Sequence, residues 1–89
     1  MAQIKVTKPS QEELDSLGVK KWHFWECNPS RFEWIYIDEE VCYILEGKAR
    51  VRSSDGEAQF CKGDLVKFPK GLKCEWEIIE KIEKVYKMG

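Results

Sequence analysis

An all-β sandwich or barrel with one short N-terminal helix is predicted for this chain by three observations. Apolar and polar residues alternate with a period of two across residues 22–26, 32–37, 41–45 and 49–51, the repeat of strands that lay one face on a core. Turn-forming residues separate the runs at Asn28-Pro29-Ser30, Glu46-Gly47-Lys48, Ser53-Ser54-Asp55-Gly56 and Lys62-Gly63-Asp64, each offering a residue that tolerates positive φ or starts a turn. Helical sequence is confined to residues 9–18.

Taken in order, residues 4–6 alternate as a short strand. Ser10 and Glu13 then form a capping box, and Gly18 is a natural helix stop. No further helix is expected. In residues 72–78 the alternation turns Leu72, Cys74, Trp76 and Ile78 inward and Lys73, Glu75 and Glu77 to water. A final strand is expected at residues 80–87. Phe32, Trp34 and Tyr36 share one face. Glu40, Cys42 and Ile44 share another, on which Glu40 is the charged member.

At 89 residues the chain fits one domain, residues 1–89, with no linker, repeat or low-complexity segment. So short a chain hides roughly 60–65% of its unfolded surface. Four tryptophans, three tyrosines and four phenylalanines enlarge the modest core, and a homodimer would add burial. The formal charge is −1 with the signs interspersed, which disfavours nucleic acid as a partner. Lys48, Arg50 and Arg52 alternate as a solvated strand face would. Cys27, Cys42, Cys61 and Cys74 form no Cys-x-x-Cys pair, against a zinc knuckle. No apolar run is long enough for a signal-peptide core or a membrane span, so a cytoplasmic chain with reduced thiols is expected.

Glu40-Val41-Cys42-Tyr43-Ile44-Leu45-Glu46-Gly47 and Gly63-Asp64-Leu65-Val66-Lys67-Phe68-Pro69-Lys70-Gly71 resemble the two motifs of the cupin superfamily, small jelly-roll β-barrels in which histidines and a glutamate usually hold a divalent metal. Read back from Gly47, the first motif places its glutamate on Glu40 and its two histidine positions on Trp34 and Tyr36. In the second motif Gly63, Pro69 and Gly71 fall in register, Cys74 takes the histidine position and Ile78 that of the asparagine. Trp25-Glu26, Phe32-x-Trp34 and the stretch from Phe68 to Trp76 are similar to very small single-domain cupins related to ureidoglycine aminohydrolases and to the ethanolamine-utilisation cupin. The resemblance implies a jelly-roll barrel, dimeric, with Gly47, Gly63 and Gly71 in turns and Pro69 as a rigid entry to the next strand. It does not imply the aminohydrolase reaction, whose manganese ligands are absent.

The candidate pocket residues are Trp34, Tyr36, Glu40, Cys74 and Trp76. A catalytic ion takes three protein ligands, and Glu40 with Cys74 supplies two; His23 lies outside both motifs and reads as an ordinary strand histidine. No cofactor is therefore expected, although a metal enzyme built on Glu40 and Cys74 stays open as the alternative, as does a non-catalytic structural dimer. Glu40 has three readings: it pairs with a basic residue such as Arg31 or Arg50, it sits at the barrel mouth in water, or it lies in the pocket as an acid, a base or the anchor of a cationic ligand between aromatic walls. Cys74 is a nucleophile only if its thiol is activated, and no histidine is expected nearby. The aromatic side chains either fill the barrel or wall an open cavity. The function expected is that of a cupin of unassigned activity, binding a small molecule without the usual histidine-held metal.

Overall fold

The computed structural model describes residues 4–54 and 56–89. Its elements are β1 (Lys5–Thr7), α1 (Gln11–Leu17), β2 (His23–Cys27), β3 (Ser30–Ile35), β4 (Glu40–Ser53), β5 (Gly56–Cys61), β6 (Leu65–Phe68) and β7 (Lys73–Met88). All strand pairs are antiparallel. The fold is all-β with one short α-helix, as the alternation predicts. That helix starts and stops where its caps dictate. The backbone N–H of Glu13 donates to Ser10 Oγ at 3.2 Å and Glu13 returns a carboxylate to the Ser10 N–H, while Gly18 at φ 70° closes the far end. A helical element that alternation did not reveal follows at once, a 3₁₀ turn at Val19–Lys21. The left-handed Gly18 redirects the chain so that its own carbonyl accepts from the Lys21 N–H at 2.9 Å.

Two long strands organise the sheet. The first half of β4 pairs with β6 and with the end of β7; the second half pairs with β5 and with the start of β7. The free flanks of β7 are filled by β2 along its last residues and by β3 along its first. β4 and β7 thus pass from one face of the sandwich to the other, and the core lies between the two faces.

The expected turn at Glu46-Gly47-Lys48 is a bulge inside β4. Pairing with β7 continues through it with shifted register, from Ile44 opposite Lys84 to Glu46 opposite Glu83 and Lys48 opposite Glu80. The reason is that β7 is itself continuous: the two runs read separately at 72–78 and 80–87 form one strand, so β4 stays paired and bends instead of reversing. Gly47 adopts φ 95°, and a Cβ there would collide with the backbone carbonyl of Lys81. Gly63 and Gly71 do stand in turns, at φ 91° and 86°. The turn at Ser53–Gly56 joins β4 to β5, with Asp55 outside the described residues.

Alternation places the core as expected. Leu72, Cys74, Trp76 and Ile78 are buried, as are Cys42 and Ile44 of β4. On the opposite face Arg50 and Arg52 meet acids: Arg31 and Arg50 each lie 3.4 Å from a carboxylate oxygen of Glu77, and Arg52 lies 3.3 Å from Glu57. Such exposed pairs contribute about 0–1 kcal/mol each. A more sheltered pair fixes the N-terminal segment: Asp64 accepts from Lys8 Nζ at 2.7 Å and from the Cys61 N–H at 2.9 Å. Burial pushes the Asp64 carboxyl upward, but these hydrogen bonds outweigh it and hold the group below the usual aspartate range.

Candidate functional site

Between the two faces, at the end where β3, β4 and β7 meet, lies a cavity of about 280 Å³. Six aromatic residues form its walls: Trp25 from β2, Phe32 and Trp34 from β3, Tyr36 just beyond β3, and Trp76 and Tyr86 from β7. Glu40, Lys84 and Met88 complete it. The rings interlock, with Phe32 stacked on Trp76 at 6.1 Å and Trp25 edge-on to both. Phe60 and Phe68, with Tyr36 and Trp76, are packed into the buried core, while at this end the rings leave open volume. Its volume lies just below the roughly 300–1,000 Å³ typical of small-molecule sites.

Four of the five residues expected at the pocket, Trp34, Tyr36, Glu40 and Trp76, come together here. Cys74 does not line the cavity; its thiol is turned to the Trp34 carbonyl at 3.6 Å. Burial, reinforced by the charge of Glu40, pushes the Cys74 thiol up to about 11, so it stays protonated and inert near neutral pH. Cys42 behaves alike, pushed up by burial to about 12. The Tyr36 hydroxyl accepts from Trp76 Nε1 at 3.1 Å. Burial, then the charge of Glu40, raise its pKa well above the ordinary tyrosine value, so the ring is a neutral phenol that also has a proton to donate.

The partner of Glu40 is Lys84. The Lys84 ammonium donates to Glu40 Oε2 at 2.8 Å, and both side chains are more than 90% buried. Arg31 and Arg50, the partners considered from sequence, are engaged by Glu77 on the outer face. Lys84 stands opposite Ile44 in the β4–β7 ladder, and its long side chain reaches back along the inner face to Glu40. There its Nζ lies 4.9 Å from the centre of the Trp25 ring, 4.8 Å from Trp76 and 5.7 Å from Tyr86. A cation enclosed by ring faces and a carboxylate is what the sequence suggested as a ligand; the chain supplies that cation itself. Trp25, Phe32, Tyr86 and Met88 also went unmarked as pocket residues. The signal for Lys84 was present: it continues the inward series Trp76, Ile78 and Ile82 on β7, as Glu40 does on β4.

A divalent metal does not fit these donors. The histidine positions of the motif carry Trp34 and Tyr36, Cys74 faces away, and the carboxylate of Glu40 is already held by an ammonium. His23 is on β2 with its ring 5.6 Å from that of Tyr86, outside the cavity lining. Among the described residues no three His, Cys, Asp or Glu side chains cluster closely enough for an ion.

An antiparallel jelly-roll-type sandwich with an inward glutamate on the first-motif strand and an internal cavity defines a small cupin. The family model of the EutQ-like cupin domain matches residues 14–86, and the chain belongs to that family. It is similar in structure to a DUF861-family protein of Thermotoga maritima, at 46% identity and a TM-score of 0.95 over 98% of this chain and 100% of that one. It also resembles Clostridium difficile EutQ, at 20% identity and a TM-score of 0.68, over 73% of this chain and 52% of that one. A putative ethanolamine utilization protein Q of Salmonella typhimurium matches at 20% identity and a TM-score of 0.68, over 96% of this chain and 68% of that one. These last two likenesses speak to the fold. None of the curated proteins compared with the chain matches it. Among the described residues no helix is long and apolar enough to cross a membrane.

Proposed function

We propose that the protein is a small-molecule-binding cupin whose cavity works with the Glu40–Lys84 ion pair in place of a histidine-held metal. One observation carries this reading: an enclosed pair of opposite charges 2.8 Å apart borders open, aromatic-walled volume. Buried ion pairs are a poor device for stability alone, since apolar residues of similar volume usually do as well or better. Their placement on a cavity points to recognition. A cytoplasmic setting belongs to the same reading and is supported by four free thiols. So does a homodimer, supported by the exposure of Phe24, Ile35 and Ile37.

The test uses the tryptophans of the cavity wall as reporters. Metabolites are titrated while intrinsic fluorescence and melting temperature are followed. A cognate ligand is expected to quench saturably, and at about 100 times its Kd to add about 2.7 kcal/mol of stability. Trp34→Ala removes a half-exposed wall residue and is expected to weaken binding, read as a shift of the quenching of Trp25 and Trp76 to higher ligand concentration, while the protein still folds. A library that gives no saturable change, or one whose effect survives both Trp34→Ala and Lys84→Met, would overturn the reading.

A further inference from the structure

The charges in the cavity restrict the class of ligand, an inference that rests on the small-molecule reading above. Lys84 has three N–H donors, and one is used on Glu40 Oε2. The second carboxylate oxygen, Glu40 Oε1, receives no hydrogen bond from the described residues and is not among the sealed, unpartnered polar atoms. It therefore keeps some accessible surface, and Glu40 lines the cavity. The cavity lining thus holds one ammonium with two N–H donors not hydrogen-bonded to the described residues, set among the rings of Trp25, Trp76, Tyr86 and Phe68, beside one carboxylate oxygen with spare lone pairs.

Three kinds of guest meet this arrangement differently. A cationic guest meets the Lys84 ammonium already seated in the aromatic box and is repelled at short range. An anionic guest gains Lys84 but must lie beside the Glu40 carboxylate and draw its ammonium away. A neutral guest with an acceptor and a donor on neighbouring atoms satisfies both groups without parting them, because the acceptor takes a Lys84 proton and the donor gives one to Glu40. A planar ring also uses the apolar walls by stacking.

We propose that the cavity selects a neutral planar ring with a cyclic amide edge, of the lactam or pyrimidinone type, its carbonyl on Lys84 Nζ and its ring N–H on Glu40 Oε1.

The test compares probes of one ring size by chemical-shift titration of the intact protein: 2-pyridone, N-methyl-2-pyridone, benzoate and benzylamine. 2-Pyridone is expected to bind most tightly. N-methylation, which keeps the carbonyl but replaces the donor hydrogen by a methyl group, should weaken binding roughly tenfold or more, as losing a hydrogen bond to a charged group does. In the Glu40→Met/Lys84→Met double variant, which leaves neither an unpaired charge nor a donor or acceptor at this point of the cavity, the preference for 2-pyridone should vanish. Equal binding of the N-methyl compound, or tighter binding of benzoate or benzylamine, overturns the cyclic-amide assignment and leaves the small-molecule site standing. Binding of none of the four probes also overturns it, and Trp34-dependent quenching by some other metabolite would then show that the cavity reading survives. Loss of both signals removes both.

Discussion

Lys84→Met is expected to destabilise the protein by about 3–5 kcal/mol, the cost of breaking a buried ion pair from one side. The substitution nearly preserves volume, so little of this comes from a cavity. It comes from Glu40, more than 90% buried, which loses the ammonium 2.8 Å away. Arg31 and Arg50 cannot take over, since they lie on the outer face of the sheet with Glu77. A chain of this size has roughly 5–10 kcal/mol of stability at most, so a large part is lost. The double variant Glu40→Met/Lys84→Met should recover most of it, because two apolar groups of similar volume replace two charges. Urea midpoints of the wild type and these two variants measure both effects. A single variant within about 1 kcal/mol of wild type would show that the pair is not buried as described.

Gly47→Ala is the second large expected effect, and Gly63→Ala is its control. Both glycines have positive φ, so an alanine at either is expected to cost about 1–3 kcal/mol in backbone strain. They differ in surroundings: a Cβ at Gly63 meets nothing within 4 Å, whereas at Gly47 it runs into the backbone of Glu80 and Lys81. Backbone cannot rotate away as a side chain does. Relief requires separating β4 from β7, the two strands on which all others except β1 pair directly, and adds about 1–3 kcal/mol of overpacking cost. Thermal unfolding of both variants should therefore show Gly47→Ala melting well below Gly63→Ala. Equal melting temperatures would mean that the bulge relaxes freely.

Gly47 also shows where sequence reading loses its grip. Glycine between two alternating runs marks positive φ, and both a hairpin turn and a bulge use it. The choice depends on whether the partner strand continues, and that partner, β7, is about thirty residues away along the chain. The helix was legible to the residue because Ser10, Glu13 and Gly18 act locally. The strands β5 and β6 were less legible, because β5 fully buries one residue, Phe60, and β6 is only four residues long. At the site, Trp34, Tyr36, Glu40 and Trp76 were legible from strand parity and motif register together. Cys74 shares that parity yet misses the cavity, because parity fixes a face and does not fix how far along the face the open volume extends. Lys84 was missed for a related reason: a lysine near the end of a chain reads as solvated, and its burial follows only once Glu40 is known to need a cation. Trp25 and Phe32, both half-buried, become cavity walls because β2 and β3 flank the same strand, a neighbourhood no local pattern records.

In the function proposed, the cation beside Glu40 is the Lys84 ammonium and not a bound metal. The most direct test is elemental mass spectrometry on tag-free protein from cells grown in manganese-, iron- and zinc-supplemented medium, beside Glu40→Gln and with melting curves taken before and after chelation. The expected result is far less than one metal per chain, the same in the variant, with an unchanged melting temperature. Near-stoichiometric metal that disappears in Glu40→Gln would contradict the account.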